Sequence, residues 1–153
     1  MFIAAVQVCH LVLAAIWTGS MIYSLIVVQP KVAAFFTDDE EREVFLAALA
    51  DGNRWKVVGM AGALTASGAL VVAGANNTPV RVGYGAALVL YLTAVAVFVE
   101  VSWRHWPARV FALAPERPMF RQALKRRART MAALVGTGFV VTLAVSVAWA
   151  GRR

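Results

Sequence analysis

Four stretches of this chain, residues 1–30, 57–80, 82–99 and 130–151, contain no Asp, Glu, Lys or Arg. A helix rises 1.5 Å per residue, so ~18–20 apolar residues cross the ~30 Å hydrocarbon core of a bilayer, and each stretch reaches that length. Unpaired backbone polar groups cost several kcal/mol each in lipid, and the stretches are too long and too uniformly apolar for barrel strands. They read as helices. Of the 153 residues, 61% are apolar and 15% charged, against roughly half and a quarter in soluble domains. Water is therefore not the main solvent. The first stretch has no Lys or Arg ahead of it and is far longer than the apolar region of a secretory signal, so it is expected to remain as a helix.

The expected fold class is all-α: one integral membrane domain over 1–153, a four-helix transmembrane bundle with spans at about 2–29, 55–76, 80–104 and 124–151. Pro30 is expected to close the first helix. After it, Asp38-Asp39-Glu40-Glu41 follows Thr37 and precedes Val44, Phe45, Ala48 and Leu49, with Gly52-Asn53 behind. A cap, an acidic first turn, an apolar stripe and a stop predict a short amphipathic helix at 38–51, lying on the membrane surface between the first and second spans. Asn76-Asn77-Thr78-Pro79 is a turn.

Twelve Lys and Arg fall in the loops after the first and third helices, against three at Arg81, Arg152 and Arg153. The positive-inside rule makes the basic loops cytoplasmic and both termini extracytoplasmic in a plasma (inner) membrane. The run Lys125-Arg126-Arg127 lies within a turn of a span, so its expected partners are anionic headgroups of the lipid bilayer and not nucleic acid. Trp55, Trp103 and Trp106 are expected anchors at the cytoplasmic interface, and Trp149 at the outer one.

Ionisable residues inside a membrane cost at least ~2.5–3.5 kcal/mol, so each one is a functional candidate. His10 lies about a dozen ångströms in from the start of helix 1 and shares a face with Gln7, Trp17, Met21 and Ser24. Ser67, Tyr91 and Thr142 of the other helices fall at a similar depth, which predicts a polar cluster around the imidazole. Three roles suit a neutral His10: ligand to copper or haem iron, proton relay, or an interhelical hydrogen bond. Copper would draw on Cys9 or Met1 beside His10; haem would need a methionine or a second subunit, because His105 belongs to the opposite end. With Cys9 the single cysteine, an intramolecular disulfide and a cysteine metal cluster are both excluded. At the cytoplasmic end Glu100 is expected to pair with Arg104 one turn on, with Arg126 or Arg129 of helix 4 also in reach. Gly59, Gly62, Ala66 and Gly68 of helix 2, and Ala132, Gly136 and Gly138 of helix 4, read as packing devices.

The stretch His10-Leu11, then Trp17 and Gly19, in a long first helix, with Lys125-Arg126-Arg127-Ala128-Arg129 leading into a fourth helix rich in small residues, resembles the copper-resistance D-type superfamily. That superfamily includes the transmembrane protein 205-like proteins and the J-type protoporphyrinogen oxidases. The resemblance implies that His10 is a metal or haem ligand and that the chain serves copper homeostasis or membrane redox chemistry, as a homo-oligomer or within a larger membrane complex. Two other classes stand beside this expectation: a non-catalytic assembly subunit, and an oligomeric transporter or channel.

Overall fold

The computed structural model describes residues 2–151, apart from the side chain of Ala114. They form four long helices: α1 (Phe2–Phe35), α2 (Asp39–Gly74), α3 (Thr78–Val110) and α4 (Arg117–Ala150), each long and apolar enough to cross a membrane. A single 3-10 turn, Ala114–Glu116, leads into α4. The chain is thus all-helical among the described residues and reads as a multi-pass membrane protein.

Proline places the starts of α3 and α4 as the missing N–H would dictate, with Pro79 and Pro118 in the first turn of each. Pro30 acts differently from expectation, because α1 runs on through it to Phe35. A proline inside a helix normally clashes with the carbonyl one turn back. Here a π-turn at Ser24–Val28 widens the backbone just ahead of it, with the Gln29 N–H bonding to the Ser24 carbonyl. The same device recurs in α3: a π-turn at Val101–His105, one intervening residue, then Pro107, with the Trp106 N–H on the Val101 carbonyl. Both prolines are absorbed by a locally wider helix.

The 38–51 segment is not a separate surface helix. Asp38 caps α2, its side chain accepting from the Glu40 N–H at 2.8 Å, and the acidic first turn follows as expected. The helix then continues unbroken through Gly52 and Asn53 into the apolar span. An interior glycine costs only ~1 kcal/mol against alanine, whereas stopping there would strand a fresh set of helix-end N–H and C=O groups. The apolar stripe of this segment is consequently the first part of a long helix.

At 33–36 residues, the helices are roughly 50–54 Å long, some 20 Å beyond the hydrocarbon core. The excess lies at one end. At the other, the terminal end, Val71, Val80 and Tyr84 pack with Val6, Val145 and Trp149, and Gly74 meets Ile3, so that the start of α1 and the end of α4 lie together. At the opposite, basic end the overhanging turns carry the charged residues of both long connections.

Between them the core is Ala14, Trp17, Ala61, Leu64, Ala87, Tyr91, Ala94 and Val135. Glycine admits its large members: a Cβ on Gly138 would stand 2.8 Å from the Tyr91 ring, and one on Gly68 would stand 3.0 Å from His10 Cε1. The expectation for Gly59 and Gly62 is not met, since they face open space outside the bundle.

Candidate functional site

His10 is 1% exposed, held on the inner face of α1 with Gln7, Ala14 and Trp17, as helical spacing from one histidine requires. Its Nδ1 lies 3.2 Å from the Leu64 carbonyl oxygen and 3.0 Å from Ser67 Oγ. Ser67 already donates its hydroxyl hydrogen to the same Leu64 carbonyl, at 3.0 Å. A carbonyl only accepts, and the serine has no second hydrogen to give. This arrangement suits the tautomer with its proton on Nδ1, shared between the two oxygens, which leaves Nε2 as the ring's other nitrogen. That nitrogen is fully buried and has no hydrogen-bond partner.

Two tyrosine rings of α3 flank the imidazole, Tyr84 at 5.3 Å between centroids and Tyr91 at 5.7 Å. The Tyr84 hydroxyl reaches Ser146 Oγ at 2.8 Å, and Ser146 donates onward to the Thr142 carbonyl at 2.7 Å. Thr142 is fully buried and spends its own hydrogen on the Gly138 and Phe139 carbonyls. The Tyr91 hydroxyl approaches Thr142 without closing a hydrogen bond, and the Gln7 amide nitrogen is likewise unpartnered. The four supporting residues expected from depth, Gln7, Ser67, Tyr91 and Thr142, are thus all buried at this level, with Ser67 and Tyr91 against the ring itself.

Tyr84, Ser146, the Leu64 carbonyl and Gly68 complete the site without having been anticipated. Tyr84 stands two helical turns before Tyr91 on one face of α3, a spacing that the sequence does display. The carbonyl and the glycine carry no comparable signal, because their part depends on how closely α1 approaches α2.

A second polar group occupies the basic end. Arg109, 4% exposed, holds Glu43 with two hydrogen bonds of 2.7 and 2.8 Å and lies over the Trp106 ring at 4.8 Å. Arg121 bridges Asp39 at 2.9 Å and Glu43 at 3.5 Å. Glu100 pairs with Arg127 at 2.6 Å, and Arg127 also donates to His105 Nδ1 at 3.2 Å. The expected partner Arg104 instead points out to the surface, and Arg126 and Arg129 are also exposed; it is Arg127, on the face of α4 packed against α3, that reaches the carboxylate. Trp55 and Trp103 meet edge to face at 6.1 Å near Arg54.

The donor set decides what His10 can hold. Cys9 is exposed on the outside of α1 and does not face the imidazole; Met1 lies outside the described residues. Among the described residues no three His, Cys, Asp or Glu side chains converge on a metal position. Serine, tyrosine and glutamine groups beside one imidazole do not make the soft donor set that copper(I) selects. Nor does a haem fit: the ring is enclosed by Tyr84, Tyr91, Leu64, Ser67 and Gly68, with no face open to a macrocycle. Comparisons with family models, curated proteins and solved structures return no match. The site must be read from its own chemistry. Towards the basic end, Ala14, Trp17, Leu64, Ala94 and Val135 form a largely apolar layer between it and the charged cluster, with the Thr18 hydroxyl buried beside them.

Proposed function

We propose that this chain is a small, non-conducting accessory subunit of a bacterial-type plasma membrane, with its basic end cytoplasmic, and that His10 is its functional group: a neutral imidazole that takes up a proton from the outer side. The observation that carries this reading is the fully buried, unpartnered Nε2 of a ring whose Nδ1–H is tied down by Leu64 and Ser67. A purely structural residue would be expected to use both ring nitrogens, because a buried polar atom left unmade costs ~1–3 kcal/mol. On proton uptake at Nε2, the bond from Nδ1 to the carbonyl becomes charge-assisted, and the ring centroids of Tyr84 and Tyr91 lie within the ~6 Å over which an aromatic ring can attract a cation.

The largely apolar layer below His10 favours a proton-accepting centre over a conducting path. Copper and haem are not part of this proposal, since the residues present do not fit them. The accessory role agrees with an oligomer or a larger membrane complex as partner. The resemblance to the copper-resistance D-type superfamily bears on the choice of His10 and on nothing finer.

The test pairs oxidised and dithionite-reduced absorption spectra and metal analysis of purified protein with proton permeability of proteoliposomes. Wild type and His10→Leu are expected to be alike, colourless, metal-free and proton-tight. A Soret band or stoichiometric copper that disappears in His10→Leu would overturn the proposal in favour of a cofactor protein. Proton leakage that disappears in the variant would overturn it in favour of a channel.

A further inference from the structure

The loop between α1 and α2 forms an open groove of about 550 Å³ lined by Lys31, Val32, Ala34, Phe35, Phe36 and Phe45. Its floor is a run of edge and tilted ring contacts, Phe35 to Phe36 at 5.1 Å and Phe36 to Phe45 at 5.2 Å. Phe35 is nonetheless 79% exposed, and Val44 and Phe45 beside it are 66% and 42% exposed. Measured along the helices from the terminal end, Phe35 lies roughly 50 Å away, well past the ~30 Å that hydrocarbon covers. Such an aromatic patch in the overhang calls for a cover other than lipid tails.

Its rim is acidic. Glu41 is four residues before Phe45, which puts it on the face of α2 that carries the groove, with Glu40 one turn before Val44 and Asp38 at the cap of the same helix, accepting from the Glu40 N–H. Asp39 is taken up by Arg42 and Arg121, and Glu43 by Arg109. Among the described residues Asp38, Glu40 and Glu41 are exposed and have no cation of their own.

We infer that this groove docks a basic amphipathic helix of a partner protein, whose apolar side chains cover Phe35, Phe36 and Phe45 while its Lys or Arg residues meet Asp38, Glu40 and Glu41. Lys31 stands on the α1 side of the groove, but the three uncompensated carboxylates on its α2 side outnumber it and repel the anionic headgroups of an inner leaflet, so the bilayer is the wrong cover. A second copy inserted in parallel is also the wrong cover. Its exposed Lys125, Arg126 and Arg129 lie roughly 32–38 Å from the terminal end, against roughly 50–54 Å for the acidic rim, and the cations nearer rim height, Arg42, Arg109 and Arg117, are buried or half-buried beside its own Asp39 and Glu43. A helix-in-groove mode satisfies both the aromatic floor and the charged edge. The inference is independent of the reading of His10, and takes from the proposed orientation only the compartment in which the partner is met.

The test uses the full chain in zwitterionic nanodiscs and a fluorescent synthetic Leu/Lys amphipathic helix as probe, read by anisotropy against empty nanodiscs. Saturable binding above the empty control is expected, weakened about tenfold or more by Glu40→Lys with Glu41→Lys, and by Phe45→Ser, as removal of a hot-spot anchor does. These substitutions spare the Asp38 cap, and helical circular dichroism checks that each variant is folded. No binding above the control, or binding indifferent to the charge reversals, would overturn the inference. A nitroxide on Phe45→Cys in a Cys9→Ser background identifies the other occupants. Accessibility to an aqueous nickel chelate is expected; lipid-like oxygen accessibility would put the groove in the bilayer, spin–spin broadening would put a second copy on it, and either sinks the proposal.

Discussion

At the residue scale the weight falls on His10, and its geometry follows from one missing atom. A Cβ at position 68 would stand 3.0 Å from His10 Cε1 and 3.4 Å from Nδ1, so a side chain there would push the imidazole by a few tenths of an ångström against its bonds to Leu64 and Ser67. Gly68→Ala is expected to cost about 1–3 kcal/mol as overpacking, and to shift the His10 ring resonances. Gly62→Ala, where nothing lies within 4 Å, is expected to leave both unchanged. Thermal unfolding in detergent and imidazole NMR of the two variants check the pair; equal effects would mean that position 68 does not set the ring's place. Gly138→Ala should act on the other side of the site by displacing Tyr91, whose ring a new Cβ would overlap at 2.8 Å.

At the scale of elements, α2 is held against α3 in the overhang by one buried ion pair. Arg109 is almost fully enclosed, so removing Glu43 strands its charge, whereas removing Arg109 leaves Glu43 with Arg121 at 3.5 Å. Glu43→Ala is therefore expected to lower stability by about 3–5 kcal/mol, Arg109→Ala by less, and the double replacement by less than the sum of the two. Chemical unfolding of the two singles and the double measures it; additive losses would show that the pair is not coupled. This contact was not legible in the sequence. Glu43 sits among five acids and Arg109 among eight basic residues of its loop, and choosing the pair requires knowing that α2 continues straight through Gly52. What was legible is what the solvent enforces: four uncharged spans, and a histidine whose inner face, with Gln7 and Trp17, followed from spacing alone. Pro30 misled because a proline in isolation predicts an end, and the π-turn that accommodates it has no local signature. The Glu100 partner was misplaced by a single turn-to-turn rule, where packing of α4 on α3 offered Arg127.

At the scale of the whole molecule, the four helices are each longer than a hydrocarbon core, their charged connections gather at one end, and the polar site lies towards the other. The orientation proposed from Lys and Arg counts predicts that Asn77→Cys, in a Cys9→Ser background, reacts with an impermeant maleimide added outside intact cells, and that Glu116→Cys reacts only after the membrane is opened. The reverse pattern would invert the bundle, and expose His10 to the inner compartment instead. The account's central claim, that His10 is a neutral base with its proton on Nδ1 and a free Nε2, is tested most directly by ¹⁵N NMR of histidine-labelled protein in bilayers, with His10→Leu to assign the signal. A protonated Nδ1 and bare Nε2 at neutral pH, becoming doubly protonated on acidifying the outer side, is the expected result. A proton on Nε2 with Nδ1 bare, or a signal that never titrates, would contradict it.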